Sequence, residues 1–368
     1  MRVFSRKSKV LSVDPYGAPT AAVSADVIII GDGIVGLSTA FELGRSGASF
    51  VLVGARREGA ASRAAAGLLA PSVGSLPASV SPFFFDSLGR YPEFVECLRR
   101  FEPALRLVDG LIDLSGTASA VARGRHLTTQ ELATLEPALT APSGGTLYAG
   151  DGAIDAVLLV QALRGAVSEA ASGMIVTDDP VRAVELSNPL PAVLLESGAR
   201  LTAPNIVLAA GAWAPRIAGL PRTLPVTPLK GQMLAVHFSG LTHPVMSDNI
   251  YLVPRGRETV IGATVERMGF DVSTTAVAIE ELRRAATEVC PKLGASAISS
   301  TWAGIRPATP DMLPIIGPDP MDPRLIYACG HSKNGILLAP ATAAAVRDLV
   351  ESHSTIADLA PFAVARFA

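Results

Sequence analysis

Residues 26–36 read Asp26-Val-Ile-Ile-Ile-Gly31-Asp-Gly33-Ile-Val-Gly36. The apolar run predicts a strand buried on both faces, and the Gly-x-Gly-x-x-Gly spacing directly after it predicts a tight turn into a helix over 34–46. Each glycine then has a mechanical task. Gly31 permits the turn, Gly33 lets the backbone approach a pyrophosphate, and Gly36 lets the helix pack on the strand. The anion rests on the free amides and positive dipole end of the helix. A dinucleotide site is expected; the plain alternative is a strand-loop-helix connection with no ligand. Gly47 stops the helix and Ala48–Val53 supplies the next strand, completing a β-α-β unit.

The chain has 368 residues, beyond the usual size of one hydrophobic core, so two domains are expected. Hydrophobic residues make up 49% and charged ones 17%, a balance that suits an α/β enzyme. Lys plus Arg number 31 against 33 Asp plus Glu, a formal charge of −2. Without a basic field, nucleic acid and anionic membranes are not expected partners. No apolar run reaches the roughly 18–20 residues that a membrane span requires. Arg2, Arg6, Lys7 and Lys9 open the chain without the apolar core of a secretory signal, so residues 1–24 are expected to be an extension. Cys97, Cys290 and Cys329 lie far apart without C-x-x-C spacing, which points to a reducing, cytoplasmic setting. The scattered histidines show no metal-binding pattern, and no metal is expected.

Small residues dominate 61–71 and admit close approach to something bulky; an alanine-rich core helix is the alternative. Apolar spacing predicts helices within 83–108 and at 131–139, 158–172 and 276–289. Strands are expected at 181–186, 192–196 and 205–210, then in antiparallel style at 232–238, 250–254 and 259–265. Leu325–Cys329 returns to the opening pattern, with a glycine turn at 330–335 and a helix to about Glu351, in whose first turn Pro340 is expected. This order predicts an α/β protein. A Rossmann-like nucleotide domain (25–80, 150–225 and 300–368) is interrupted by a mixed, largely antiparallel β-sheet domain for substrate (81–149 and 226–299).

Five segments together resemble one family: the opening glycine turn, Ser62-Arg-Ala-Ala-Ala-Gly-Leu-Leu-Ala-Pro71, Pro228-Leu-Lys-Gly-Gln-Met233, Trp302-Ala-Gly-Ile-Arg-Pro307, and Gly330-His-Ser-Lys-Asn-Gly-Ile-Leu-Leu-Ala-Pro-Ala-Thr342. They are similar to the FAD-dependent D-amino acid oxidase superfamily, and within it to the bacterial glycine oxidases of thiamine biosynthesis. The resemblance runs from about residue 26 to 350. It implies noncovalent FAD, because the Thr309-Pro-Asp311 stretch lacks the cysteine used for covalent attachment. Gly31, Asp32, Gly33, Ile34, Val35 and Gly36 would hold the pyrophosphate; Ala61, Ser62, Ala66, Gly67, Leu68 and Gly211 would line the cofactor; Val181 would meet the adenine side. Gly330, His331, Ser332, Lys333, Asn334, Gly335, Ile336 and Leu337 would wrap the isoalloxazine ring, with amides and Lys333 offsetting the charge of its reduced form.

The same resemblance assigns Arg306 to the substrate carboxylate, a task its planar two-pronged fork suits, and Tyr251 to a further substrate contact, with Lys333 nearby. From residue type alone, Arg306 reads as a structural ion pair or a solvated arginine, Tyr251 as a half-buried strand residue and His331 as a structural histidine. The implied reaction is hydride transfer from Cα of glycine, sarcosine or a D-amino acid to flavin N5. Hydrolysis to the oxo acid and reduction of O2 to H2O2 follow, without a dedicated strong base. A dehydrogenase with a quinone or other electron acceptor, and a noncatalytic flavin-binding protein, are the alternatives; a homo-oligomer stays open.

Three departures stand out. Gly54 occupies the end of the second strand, where an acid normally accepts the ribose hydroxyls. Arg56 and Arg57 follow it, the signature of a 2′-phosphate and NADP, against the flavin-like segments elsewhere. Lys333 stands where a second arginine is expected, and Val265 where methionine is, which would enlarge the pocket.

Overall fold

The computed structural model describes residues 25–74, 76–116, 124–248 and 250–367; the expected extension at 1–24 lies outside them. Two large sheets organise these residues, with a small antiparallel one of Arg200–Thr202, Ala192–Leu195 and Val181–Glu185 beside them. The first has six strands in the order Ile315–Pro318, Leu325–Cys329, Asn205–Leu208, Val27–Ile30, Phe50–Val53, Gly173–Val176, parallel except at the first pair. Val27–Ile30 is fully buried, as its unbroken apolar run requires, and chain order reverses on either side of it. A crevice forms at such a reversal, outside the carboxyl ends of the strands. The expected helix is present at Ile34–Ser46, closed by Gly47 at φ 92°.

The second sheet has nine strands and is antiparallel except between Val245–Met246 and Leu107–Asp113. Its order begins with Ile298–Ala308 beside Thr227–Val236 and ends at Leu68–Leu69. The long strand Ile298–Ala308 was not expected: its polar start and Pro307 disguise it, and a proline is tolerated there because the strand is an edge. The partition of the chain therefore differs from the expected one. Residues 298–308 belong to the second sheet, and the helix Ser81–Leu98 packs with the first, in the core shared by Phe41, Phe94 and Leu338.

The closing helix, Gly335–Ser352, corrects a further expectation. Pro340 is its sixth residue, not in the first turn, so the Ile336 carbonyl loses its N–H partner and the ring crowds the preceding turn. The helix Ser81–Leu98 repairs the break. Tyr91 Oη donates to the Ile336 carbonyl, and Ser87 Oγ donates to the Leu337 carbonyl at 2.7 Å while accepting from the Ala341 amide at 3.2 Å. Ser87 and Tyr91 are four apart and so face the same way. A proline-broken helix is thereby held rigid where it meets the cavity.

Candidate active site

Both helices that flank the first sheet's crevice start on one cavity of about 770 Å³, which runs from the opening glycine turn to the second sheet. Ile34 begins one helix and Gly335 the other, and both line its wall. Their first-turn amides lack intrahelical partners and carry partial positive charge, which suits an anion. The opening turn is built for close approach: Gly31 has φ 113°, and a Cβ there would lie 2.4 Å from the Ala209 carbonyl oxygen, while one on Gly36 would lie 1.9 Å from the Gly31 carbonyl oxygen. Ser62 Oγ accepts from the Ile34 amide at 2.8 Å, which brings the small-residue segment onto the turn.

That segment is not the core helix its alanines also allowed. Only Ala61–Ala64 is helical; the chain then extends through Gly67, at φ 90°, whose Cβ would collide with the Ile154 carbonyl oxygen at 1.7 Å. Trp302 Nε1 donates to the Ala64 carbonyl at 2.9 Å, and Arg255 Nη2 to those of Ala65 and Ala66 at 3.3 and 3.4 Å. The second sheet thus holds the segment by its carbonyls. Gly304 makes the approach possible, since a Cβ there would lie 2.4 Å from Ala64 Cβ.

At the far end the second sheet presents Arg306 and Tyr251. Each lies over a glycine. A Cβ on Gly231 would fall 2.4 to 2.6 Å from the Arg306 guanidinium, and one on Gly262 would fall 2.4 Å from Tyr251 Oη. Arg306 Nη1 donates to the Thr264 carbonyl at 3.0 Å, and the guanidinium also contacts the Tyr251 hydroxyl, which together fix the plane of the fork. Burial pushes the Tyr251 phenol up from its ordinary pKa, with Arg306 pulling the other way, so the hydroxyl stays a donor. Lys333 is exposed on the wall and has no ion-pair partner among the described residues. His331 lines the same turn but is buried, and desolvation pushes its pKa down to about 3. It is a neutral imidazole whose Nε2 meets Thr342 Oγ1 at 3.1 Å.

Nearly all the residues expected to hold the cofactor stand on this one wall, including Val181 and Gly211. Gly36 and Leu337 stand off it: Gly36 is spent on helix packing, and Leu337 turns into the core. Arg56 and Arg57 are exposed and pair with Asp178 and Glu196 at 3.4 and 3.7 Å. Sequence reading missed Arg164, which reaches from the helix Ala156–Glu169 to the carboxylate of Asp32. Its only local signal is a lone cation among the apolar residues of that helix.

The cavity fits FAD. Its wall joins a pyrophosphate-type turn to Arg306 and Tyr251 and includes many Gly and Ala residues, and a Cβ on Gly335 would meet only ordinary contacts, the nearest at 3.6 Å. Gly31, Gly33 and the Ile34 helix start would hold the pyrophosphate, and the 330–336 turn the ring.

Comparison with known proteins agrees. Residues 26–349 match the DAO family, described as FAD dependent oxidoreductase. Glycine oxidase from Geobacillus kaustophilus is 34% identical over 368 residues, covering 93% of this chain and 97% of the relative. The crystal structure of glycine oxidase from that organism superposes with a TM-score of 0.85 at 30% identity, covering 93% of this chain and 98% of that one. The bifunctional protein ThiO/ThiG of a Synechocystis strain is 35% identical over 367 residues; the match takes in 94% of this chain but spans only 54% of that longer relative.

Proposed function

The chain belongs to the DAO family of FAD dependent oxidoreductases, and on that premise we propose that it oxidises a small amino acid, glycine first among them, at the bond between Cα and nitrogen. FAD, when bound, supplies the two-electron acceptor: the substrate gives up two electrons and two protons to become an imino acid, and O2 takes up the same to become H2O2. Water then converts the imino acid to oxo acid and ammonia. The chain's own residues bind and orient. Arg306 receives the carboxylate on the part of its fork not committed to Thr264, Tyr251 offers a hydroxyl donor beside it, and Lys333 adds a point charge at the rim. Because the guanidinium plane is set before substrate arrives, Cα is presented in one orientation.

The observation that carries this reading is that Arg306 and Tyr251, each laid over a glycine, line the same cavity as the opening glycine turn. The three cysteines are free, which supports a cytoplasmic location. Among the described residues no helix is long and apolar enough to cross a membrane. The test is an anaerobic titration of the FAD-loaded protein with glycine, sarcosine and D-amino acids. Bleaching of the flavin by at least one, followed by peroxide on admitting air, is expected; a fully reducible flavin that none of them bleaches contradicts the proposal.

A further inference from the structure

Beside the opening glycine turn, one departure from the usual sequence pattern, Gly54, meets Asp32 in space. The strands Val27–Ile30 and Phe50–Val53 pair in parallel with Ile30 opposite Val53, so Asp32 and Gly54 emerge side by side. A Cβ on Gly54 would lie 2.5 Å from Asp32 Cγ and 2.7 Å from its Oδ2. The Asp32 carboxylate fills the space that a side chain at 54 would take. It is held there: Arg164 Nη2 bonds Oδ2 and also reaches the Asp32 carbonyl at 3.4 Å. Oδ1 has no hydrogen-bond partner among the described residues, and both Asp32 and Gly54 line the cavity.

We propose that Asp32, positioned by Arg164, is the acceptor for the adenosine ribose hydroxyls of FAD, replacing an acid at the end of the second strand, and that Gly54 is the space this relocation requires. The proposal rests on the FAD reading above. An acceptor-only carboxylate also disfavours a phosphate on that ribose.

The test uses the apoprotein with ADP and 2′,3′-dideoxy-ADP as competitors of FAD uptake, so its readout is nucleotide affinity. In the wild type, loss of the ribose diol is expected to weaken binding about tenfold or more, the scale of a hydrogen bond to a charged group. Asp32→Asn, which keeps the shape, and Asp32→Gly are expected to bind both competitors alike. Gly54→Glu is expected to impair uptake when Asp32 is present and, combined with Asp32→Gly, to restore the preference for the diol. Unchanged discrimination in both Asp32 variants overturns the proposal while leaving the FAD reading intact. A folded wild type that takes up neither FAD nor ADP overturns both.

Discussion

The two ends of the cavity solve recognition in opposite ways. At the adenosine end a carboxylate stands in from the neighbouring turn, tethered by an arginine far away in sequence, and the position that usually carries it is emptied to glycine. At the substrate end the key cation keeps its place, and the clearing is done beneath it: Gly231 and Gly262 lie under Arg306 and Tyr251. In the first case the functional group has moved; in the second the floor has been lowered. Both devices depend on strand register, which brings together residues that look unrelated along the chain.

If the ends are separable, variants at one should leave the other intact. The largest effect is expected from Arg306→Ala, which should lower kcat/KM for amino acid oxidation by roughly 10³-fold, the worth of a two-pronged charged pair. Its FAD affinity, followed by flavin fluorescence, should match wild type; a parallel loss of FAD would break the separation. Next comes Ser87→Ala, which removes the buried hydroxyl bridging the Leu337 carbonyl and the Ala341 amide beside the proline break and should cost about 1 kcal/mol in denaturant unfolding. The disturbance should reach the flavin end through the Gly335–Ser352 helix and spare competition by ADP.

His331 sharpens the same contrast by pH. Its pKa falls from 6.5 to about 3 on folding, so the unfolded chain binds the proton first and stability should drop as pH falls from 6.5 towards 3. Unfolding midpoints across that range should show the slope, and His331→Gln should flatten its contribution. The pH profile of FAD reduction should show no limb from this imidazole. The smallest effect is expected at Lys333, which is exposed and has no ion-pair partner among the described residues: Lys333→Ala should raise KM a few-fold, and added salt should erase the difference.

Much of this was legible in the sequence. The opening turn, its helix and the closing strand-turn-helix could be read because local pattern and tertiary role coincide there. Arg306 was found only within its motif, since an arginine before a proline is otherwise unremarked. What escaped depends on contacts distant along the chain. Ile298–Ala308 takes its strand character from pairing with Thr227–Val236 rather than from its own alternation. Pro340 seemed to demand a helix start, because nothing near it announces that Ser87 and Tyr91 replace the lost bonds. The Asp32–Gly54 pairing was within reach, since parallel register places the residues after Ile30 and Val53 together, whereas Arg164 had no signal beyond being a charge in an apolar helix.

The central claim is that one cavity joins a dinucleotide turn to an amino acid site. Anaerobic stopped-flow mixing of the FAD-loaded protein with glycine, sarcosine and D-amino acids tests it most directly. The account predicts saturable loss of the visible flavin absorbance with at least one of these substrates, and none on that timescale in Arg306→Ala. Equal reduction rates in wild type and Arg306→Ala would contradict it.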